Sequence, residues 1–165
     1  VSQLHVPNTV WWELERRLML IFLGRAHSST EVHGKVIAEL EGAGSDCQKL
    51  EDLRQTAGLS RDAVYAGDLA ALGGAMIANT EAQARLHPEL VGEDAQKIIG
   101  LAREFGALGW KVNGAGGDGG SVTLLTGVES VAKRDLIAAI EQADPLFQNI
   151  PIYLSRYGLR VWDSI

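Results

Sequence analysis

The most chemically distinctive part of this sequence is a run of glycines in its last third. Seven of the nineteen glycines fall between Gly106 and Gly120, and five of them lie in the seven residues that begin at Gly114. Glycine takes positive φ without steric cost, so such a run can present bare backbone N–H groups to a phosphate or to a neighbouring loop. A simple turn between two strands would need only one or two glycines. The pattern therefore predicts a functional loop.

Two common phosphate-binding motifs fit this segment poorly. Gly114, Gly116 and Gly119 match the spacing of a dinucleotide-binding loop. That motif requires a helix directly after the glycines, whereas residues 121–126 alternate like a strand. A P-loop requires a lysine followed by serine or threonine after the glycines, and the sequence has neither there. Spacing alone therefore indicates a loop that contacts a phosphate or another loop.

The histidines do not predict a metal site. His27 and His33 are six residues apart and do not share a helical face, His5 is near the start of the chain, and His87 directly precedes Pro88. Zinc ligands need closer spacing on one face or on paired loops. We therefore expect surface or capping roles for these four side chains.

The sequence does not indicate a catalytic residue either. Ser28 and Ser29 lack the strand-turn-helix context of a nucleophile and fit the start of a helix better. The carboxylates Asp62, Asp68 and Asp118 are scattered, and no pair of them suggests acid–base catalysis. Asp118 lies within the glycine run, where stabilising a turn is its expected role.

The composition is that of one ordinary globular domain, residues 1–165, with 46% hydrophobic residues and a net charge of −6. The negative charge argues against a nucleic-acid-binding face. A lone cysteine, Cys47, indicates a reducing compartment, and the longest apolar run, Leu18–Leu23, is too short to span a membrane. We expect a cytoplasmic protein. Val1–Pro7 has the character of a connecting segment, either a trimmed tail or the cut end of something longer.

Hydrophobic periodicity predicts the elements that position the loop. In chain order these are a strand at Leu18–Leu23 buried on both faces, a helix over Val32–Leu40 behind a capping box at Ser28–Glu31, a short helix over Gln48–Gln55, a longer one over Leu59–His87, a helix over Glu93–Phe105 capped by Gly106, strands at Trp110–Val112 and Ser121–Thr126, a helix over Ser130–Ala143, and a last strand at Ile150–Tyr153 and Leu159–Trp162. Gly73 and Gly74 each destabilise a helix by about 1 kcal/mol relative to alanine. A close packing contact or a ligand would explain why they are tolerated there.

With the extra helices treated as an insertion, this order is a split β-α-β-β-α-β pattern. The predicted fold class is therefore α+β and ferredoxin-like, with additional helices and an antiparallel sheet covered by helices on one face.

The segment from Lys111 to Gly120 resembles the third conserved motif of the GHMP kinases, a superfamily that includes galactokinase, homoserine kinase and mevalonate kinase. That motif runs as a lysine, a small polar residue and then Gly-Ala-Gly-Gly-Gly-Gly. Leu69–Gln83 is similar to the long helix of the family's C-terminal domain. Phe22–Ser29 and Gly158–Trp162 are similar to its heptose- and fucose-kinase-like sugar branch.

The resemblance implies a ferredoxin-like C-terminal domain of a kinase that moves the γ-phosphate of ATP, with Mg²⁺, onto a sugar hydroxyl. The family's phosphate-cradling second motif and its catalytic aspartate and lysine have no match in this chain. The expected partners are therefore an N-terminal kinase domain and a sugar substrate, with no nucleic acid and no membrane. The chain alone is expected to be inactive.

The resemblance also implies which residues line the nucleotide cleft. The matching positions are Lys111, Asn113, Gly114, Ala115, Gly116 and Gly117. Asn113 replaces the usual serine or threonine. Asp118 stands where a glycine is usual, and a carboxylate there should weaken triphosphate binding unless it points away or faces Mg²⁺.

Two questions stay open at this stage. The chain could instead be a stand-alone ferredoxin-like module that binds a ligand or forms a homodimer, because fold alone does not fix function. Asn79, Gln83 and Arg25 are polar residues that could approach a substrate, although solvated helix or loop positions are the simpler interpretation of all three.

Overall fold

The computed structural model describes residues 4–25, 29–44, 47–117, 119–156 and 161. In chain order the elements are α1 (Asn8–Arg17), β1 (Leu18–Phe22), α2 (Ser29–Leu40), α3 (Gln48–Ala66), α4 (Leu69–Leu86), a 3-10 helix (Pro88–Leu90), α5 (Glu93–Glu104), β2 (Gly109–Asn113), β3 (Ser121–Leu125), α6 (Ser130–Ala143) and β4 (Gln148–Ile150).

The four strands form one antiparallel sheet in the order β2-β3-β1-β4. β3 pairs with both β2 and β1, and β4 pairs with the outer side of β1. This is the strand order of a split β-α-β-β-α-β fold in which α2, α3 and α4 are inserted after the first strand. The predicted α+β class with an antiparallel sheet and additional helices is confirmed.

Helices α5 and α6 cover one face of the sheet, and the main core lies between these helices and the strands. The fully buried strand residues on this face include Ile21 of β1, Val112 of β2 and Val122 of β3. On the opposite face of β1, Leu18, Leu20 and Phe22 are only half-buried, and they alternate along the strand with the buried positions. The prediction of a strand at this position is confirmed, whereas burial on both faces is wrong.

The helices differ from the prediction at two places. A helix, α1, precedes β1, and its one buried side chain is Leu14. The stretch predicted as two helices breaks at Gly67 instead, where φ of 67° ends α3. The side chain of Asp68 then accepts a hydrogen bond from the Ala71 N–H at 2.9 Å and begins α4. Periodicity alone missed this break because Gly58, inside α3, looks like an equally good one.

The last strand lies earlier than predicted. β4 spans Gln148–Ile150, and Phe22 pairs with Gln148 while Leu20 pairs with Ile150. Pro151 follows immediately and has no backbone N–H to extend the ladder, so pairing stops there. Most of the predicted second part, Leu159–Trp162, lies outside the described residues, as does Ser28 of the capping box.

Helix α4 protects the exposed edge of the sheet. β2 is an edge strand, and the buried Thr80 hydroxyl donates to the Trp110 carbonyl at 3.1 Å and accepts the Val112 N–H at 3.4 Å. Covering an edge in this way prevents unwanted strand pairing. It also fixes the end of β2, and therefore the start of the glycine loop.

Candidate functional site

The glycine loop is residues 114–120, between β2 and β3, with Asp118 outside the described residues. Gly114, Gly116, Gly117 and Gly120 have φ of 64°, 61°, 74° and 82°. Residues with a side chain rarely adopt this left-handed conformation. The loop geometry therefore requires glycine at these positions, as the sequence indicated.

One side of the loop packs against the 3-10 helix. A Cβ on Gly116 would lie 1.9 Å from the carbonyl oxygen of Leu90, so no side chain fits there. The Gly117 N–H donates to the Glu89 carbonyl at 3.0 Å. Because this amide already has an acceptor within the chain, Gly117 acts here as a packing residue of the loop.

The other side of the loop packs against the chain that leaves β1. The Gly120 N–H donates to the Arg25 carbonyl at 3.1 Å, and the Gly120 carbonyl accepts the Leu23 N–H at 2.9 Å. A Cβ on Gly119 would lie 2.5 Å from the same Arg25 oxygen. Of the three polar candidates, Arg25 thus contributes its backbone to the site, and its side chain is exposed.

Four of the six described loop residues have an N–H group that donates to no acceptor within the described parts of the chain. These are Gly114, Ala115, Gly116 and Gly119, of which Gly116 and Gly119 face the Leu90 and Arg25 carbonyls too closely for a side chain. Gly114 is exposed, whereas the Ala115 side chain is buried. Backbone N–H groups of this kind can hold an anion.

Gln83 of α4 connects the loop to the sheet. Its side-chain amide donates to the Gly114 carbonyl at 2.8 Å and more weakly to the Leu90 carbonyl at 3.4 Å, and its Oε1 accepts from the Lys111 ammonium. Gln83 is only 5% exposed. The expectation of a solvated helix position is wrong here. The helical spacing from Leu72 and Met76, which share this face, was the signal for burial.

Lys111 lies next to the loop with little charge compensation. Its ammonium donates to Gln83 and to the Val112 carbonyl. Within the described residues no carboxylate forms an ion pair with it. Burial lowers the pKa of the Lys111 ammonium to about 8, because the charged form loses solvation. A lysine in this state attracts an anion.

Asn113 points into the sheet, away from the loop. Its amide donates to the Ser121 hydroxyl at 3.0 Å and to the Thr123 hydroxyl at 2.9 Å on the paired strand. The structure therefore brings Lys111 together with Gly114 and Ala115 but places the Asn113 side chain elsewhere. Asn79, the third polar candidate, is half-buried and donates to Thr56 at 2.6 Å.

The described part of the chain contains no cluster of three or more histidine, cysteine or acidic residues that could hold a metal ion. Among the same residues, no helix is both long enough and apolar enough to cross a membrane.

Comparisons with solved structures show which proteins share this fold. No protein-family model and no curated protein sequence matches the chain. Among solved structures, the mevalonate kinase of L. major in complex with R-mevalonate is similar, with 26% identity over 81% of this chain and a TM-score of 0.63. A second mevalonate kinase matches 89% of the chain at 17% identity, with the same TM-score of 0.63. A D-glycero-D-manno-heptose 1-phosphate kinase from Bacteriodes thetaiotaomicron matches 92% at 16% identity, with a TM-score of 0.53.

The matched region is only part of each kinase. The chain covers 41% and 43% of the two mevalonate kinases and 37% of the heptose kinase. All three are members of the GHMP kinase superfamily, and the shared region is their C-terminal domain. This chain has the fold of the C-terminal domain of the GHMP kinases.

Proposed function

We propose that this chain is the C-terminal domain of an ATP-dependent sugar kinase and that it acts together with an N-terminal kinase domain. The observation that carries the proposal is the glycine loop. Its left-handed glycines, its packing against Leu90 and Arg25, and its unused amides, including those of Gly114 and Ala115, form a surface shaped for close approach. Packing within the domain accounts for Gly116 and Gly119, so the proposal rests on the exposed Gly114 and on the unused amides beside Lys111.

In the proposed reaction, the oxygen of a sugar hydroxyl attacks the γ-phosphorus of ATP, and the bond from this phosphorus to the β–γ bridging oxygen breaks. ADP leaves with that electron pair, and the hydroxyl proton passes to a base that we assign to the N-terminal domain. Catalysis of phosphoryl transfer depends mainly on positioning and on stabilising negative charge. Here the Gly114 and Ala115 amides and the Lys111 ammonium would supply donors at the edge of the phosphate site. Mg²⁺ neutralises phosphate charge when bound. The described residues offer no acidic cluster for it, so we assign its ligands to the other domain and the nucleotide.

The proposed contact with the N-terminal domain involves the open face of the sheet. Leu20 and Phe22 of β1 are half-buried on the face opposite α5 and α6, beside the polar Ser121 and Thr123 of β3. Mixed apolar and polar surface of this kind is typical of interfaces between domains of one chain. A location in the cytoplasm, where ATP is supplied, fits this function.

The class of acceptor rests on two observations that point to different molecules. The heptose 1-phosphate kinase covers the larger share of this chain, and a sugar branch is also indicated by Phe22–Ser29. The mevalonate kinase of L. major has the higher identity, 26%, and the higher TM-score. We propose a sugar as the acceptor and keep mevalonate as the second candidate.

The test uses the complete product of the gene that encodes this chain. The purified protein is incubated with ATP and Mg²⁺ and a panel of free sugars, sugar phosphates and mevalonate, and ADP formation and the phosphorylated product are followed by mass spectrometry. Activity with one sugar supports the proposal, whereas activity only with mevalonate replaces the substrate class. If the native product has the mass of this chain alone, 17.7 kDa, and no acceptor is phosphorylated, the kinase proposal fails.

Two variants make the test specific for the loop. Gly116→Ala should abolish most activity, because its Cβ would displace the loop from Leu90. Gly74→Ala is the matched control, since a Cβ there meets nothing within 4 Å and lies on the outer side of α4. Sedimentation of residues 1–165 alone addresses the alternative, because a stable homodimer without nucleotide affinity would favour an interaction module.

A further inference from the structure

A cavity of about 280 Å³ lies between α2, α3, α4 and the glycine loop. Ligand pockets in proteins begin at about this size, near 300 Å³. We propose that it binds a small amphipathic anion, with an apolar chain in the cavity and a single carboxylate or phosphate head at Lys111. The site lies wholly within this domain, so the inference does not depend on the proposed phosphoryl transfer.

The walls of the cavity are mainly apolar. Val36 of α2, Leu53 of α3 and Leu86 of α4 line it, together with Leu90 of the 3-10 helix, and Ala115 of the loop forms part of the same surface. These side chains make up a separate small core of the domain. An unbranched hydrocarbon chain would bury apolar surface on all of these elements at once.

The polar end of the cavity carries one positive charge. Lys111 lines the cavity, and its described partners are the Gln83 side chain and the Val112 carbonyl. An ammonium has three donors, so one remains for a ligand. A partly buried cation without a carboxylate partner loses solvation, and an anionic head would offset that cost. Charge complementarity therefore selects an anion over a neutral or cationic ligand.

Helix α2 provides a route of entry. Among the described residues of this helix, only Val32 has a buried side chain, and Ile37 is 65% exposed. An exposed ion pair between Lys35 and Glu89, with an N–O distance of 2.7 Å, joins α2 to the 3-10 helix. Elements with so few buried contacts open locally at low cost. A small movement of α2 would admit a ligand without unfolding the sheet.

The proposed site is connected to the glycine loop. The same Gln83 side chain that accepts from Lys111 donates to the Gly114 carbonyl at 2.8 Å. An anion at Lys111 would compete with Gln83 Oε1 for the ammonium protons. Occupation of the cavity should therefore shift the Gly114 and Ala115 amide signals, whether or not a nucleotide is present.

The experiment is calorimetric titration of the 165-residue chain with octanoate, octyl phosphate and uncharged octanol. We expect at least one anion to bind about tenfold more tightly than octanol, since a charge-assisted hydrogen bond is lost with the alcohol. The two anions distinguish a carboxylate from a phosphate head. Amide spectra recorded in the same titration should show the largest shifts at Gly114 and Ala115.

Matched variants locate the site. Val36→Trp fills the cavity and should abolish binding, whereas Ile37→Trp, on the neighbouring exposed position, should not. Lys111→Met should bring octanoate and octanol to equal affinity, and Lys97→Met, which removes a surface lysine paired with Asp94, should preserve the difference. Equal binding of anion and alcohol to the wild-type chain, unchanged binding in Val36→Trp, or no binding of either anion overturns the proposal.

Discussion

Gly73 of α4 and Gly109 of β2 lie in direct backbone contact. A Cβ built on Gly109 would be 2.4 Å from the Gly73 Cα, and a Cβ built on Gly73 would be 2.1 Å from the Leu108 carbonyl oxygen. This contact brings the helix close enough for the Thr80 hydroxyl to reach the Trp110 carbonyl of β2. The long helix, the edge of the sheet and the start of the glycine loop are thereby fixed as one unit.

Gly73→Ala should destabilise the domain by about 3 kcal/mol, because the added methyl group forces α4 away from β2. Gly74→Ala, one residue along the same helix, should instead stabilise it by about 1 kcal/mol through helix propensity, since its Cβ meets nothing. Urea unfolding of both variants measures the two free energies. Equal effects of the two substitutions would contradict the backbone contact.

Gly116→Ala should destabilise the loop much more than Gly114→Ala. Both glycines have positive φ, so each substitution carries a conformational cost of about 1 kcal/mol. A Cβ on Gly116 also overlaps the Leu90 oxygen at 1.9 Å, whereas one on Gly114 meets open space. Hydrogen exchange at the Gly117 amide, which donates to Glu89, reports the difference. Faster exchange in Gly114→Ala than in Gly116→Ala would refute the prediction.

Thr80→Val should cost about 1 to 3 kcal/mol, because it leaves the Trp110 carbonyl and the Val112 N–H at the sheet edge without their partner. Thr80→Ser keeps the hydroxyl and should cost clearly less. Thermal unfolding compares the variants, and light scattering tests whether the uncovered edge promotes association. Identical midpoints for the valine and serine variants would show that the hydroxyl contributes nothing.

Lys111→Met should change how stability depends on pH. The pKa of Lys111 is about 8 in the folded chain and near 10.5 in an unfolded one. Between these values the unfolded state binds more protons at this residue, so the wild-type chain gains stability as pH rises. After allowance for partial exposure, the gain is on the order of 1 kcal/mol. The unfolding free energy of the wild type minus that of the variant should therefore increase by this amount from pH 8 to 10.5.

Lys97→Met is the control for this series, because Lys97 is an exposed lysine paired with Asp94. The unfolding free energy of Lys97→Met relative to the wild type should not change between pH 8 and 10.5 in the same way. A parallel pH dependence in the two variants would mean that Lys111 titrates like an ordinary surface lysine.

The sequence by itself determined the elements with a strong local pattern. Helices α5 and α6 and strands β2 and β3 lie close to their predicted positions, because each has its own periodicity and a clear end, such as Gly106 with φ of 68°. The glycine loop was identifiable for a similar reason. A residue type that alone tolerates positive φ marks such a loop directly in the sequence.

Tertiary structure alone decided the features that depend on distant residues. The position of β4 follows from its register with β1, and Pro151 sets its end. The burial of Gln83 follows from Lys111 and Gly114, which lie 28 and 31 residues further along the chain. The need for a glycine at position 73, inside a helix, follows in the same way from its backbone contact with Gly109. Local patterns carry no information on such pairs, because contacts between remote segments form only when the whole chain packs.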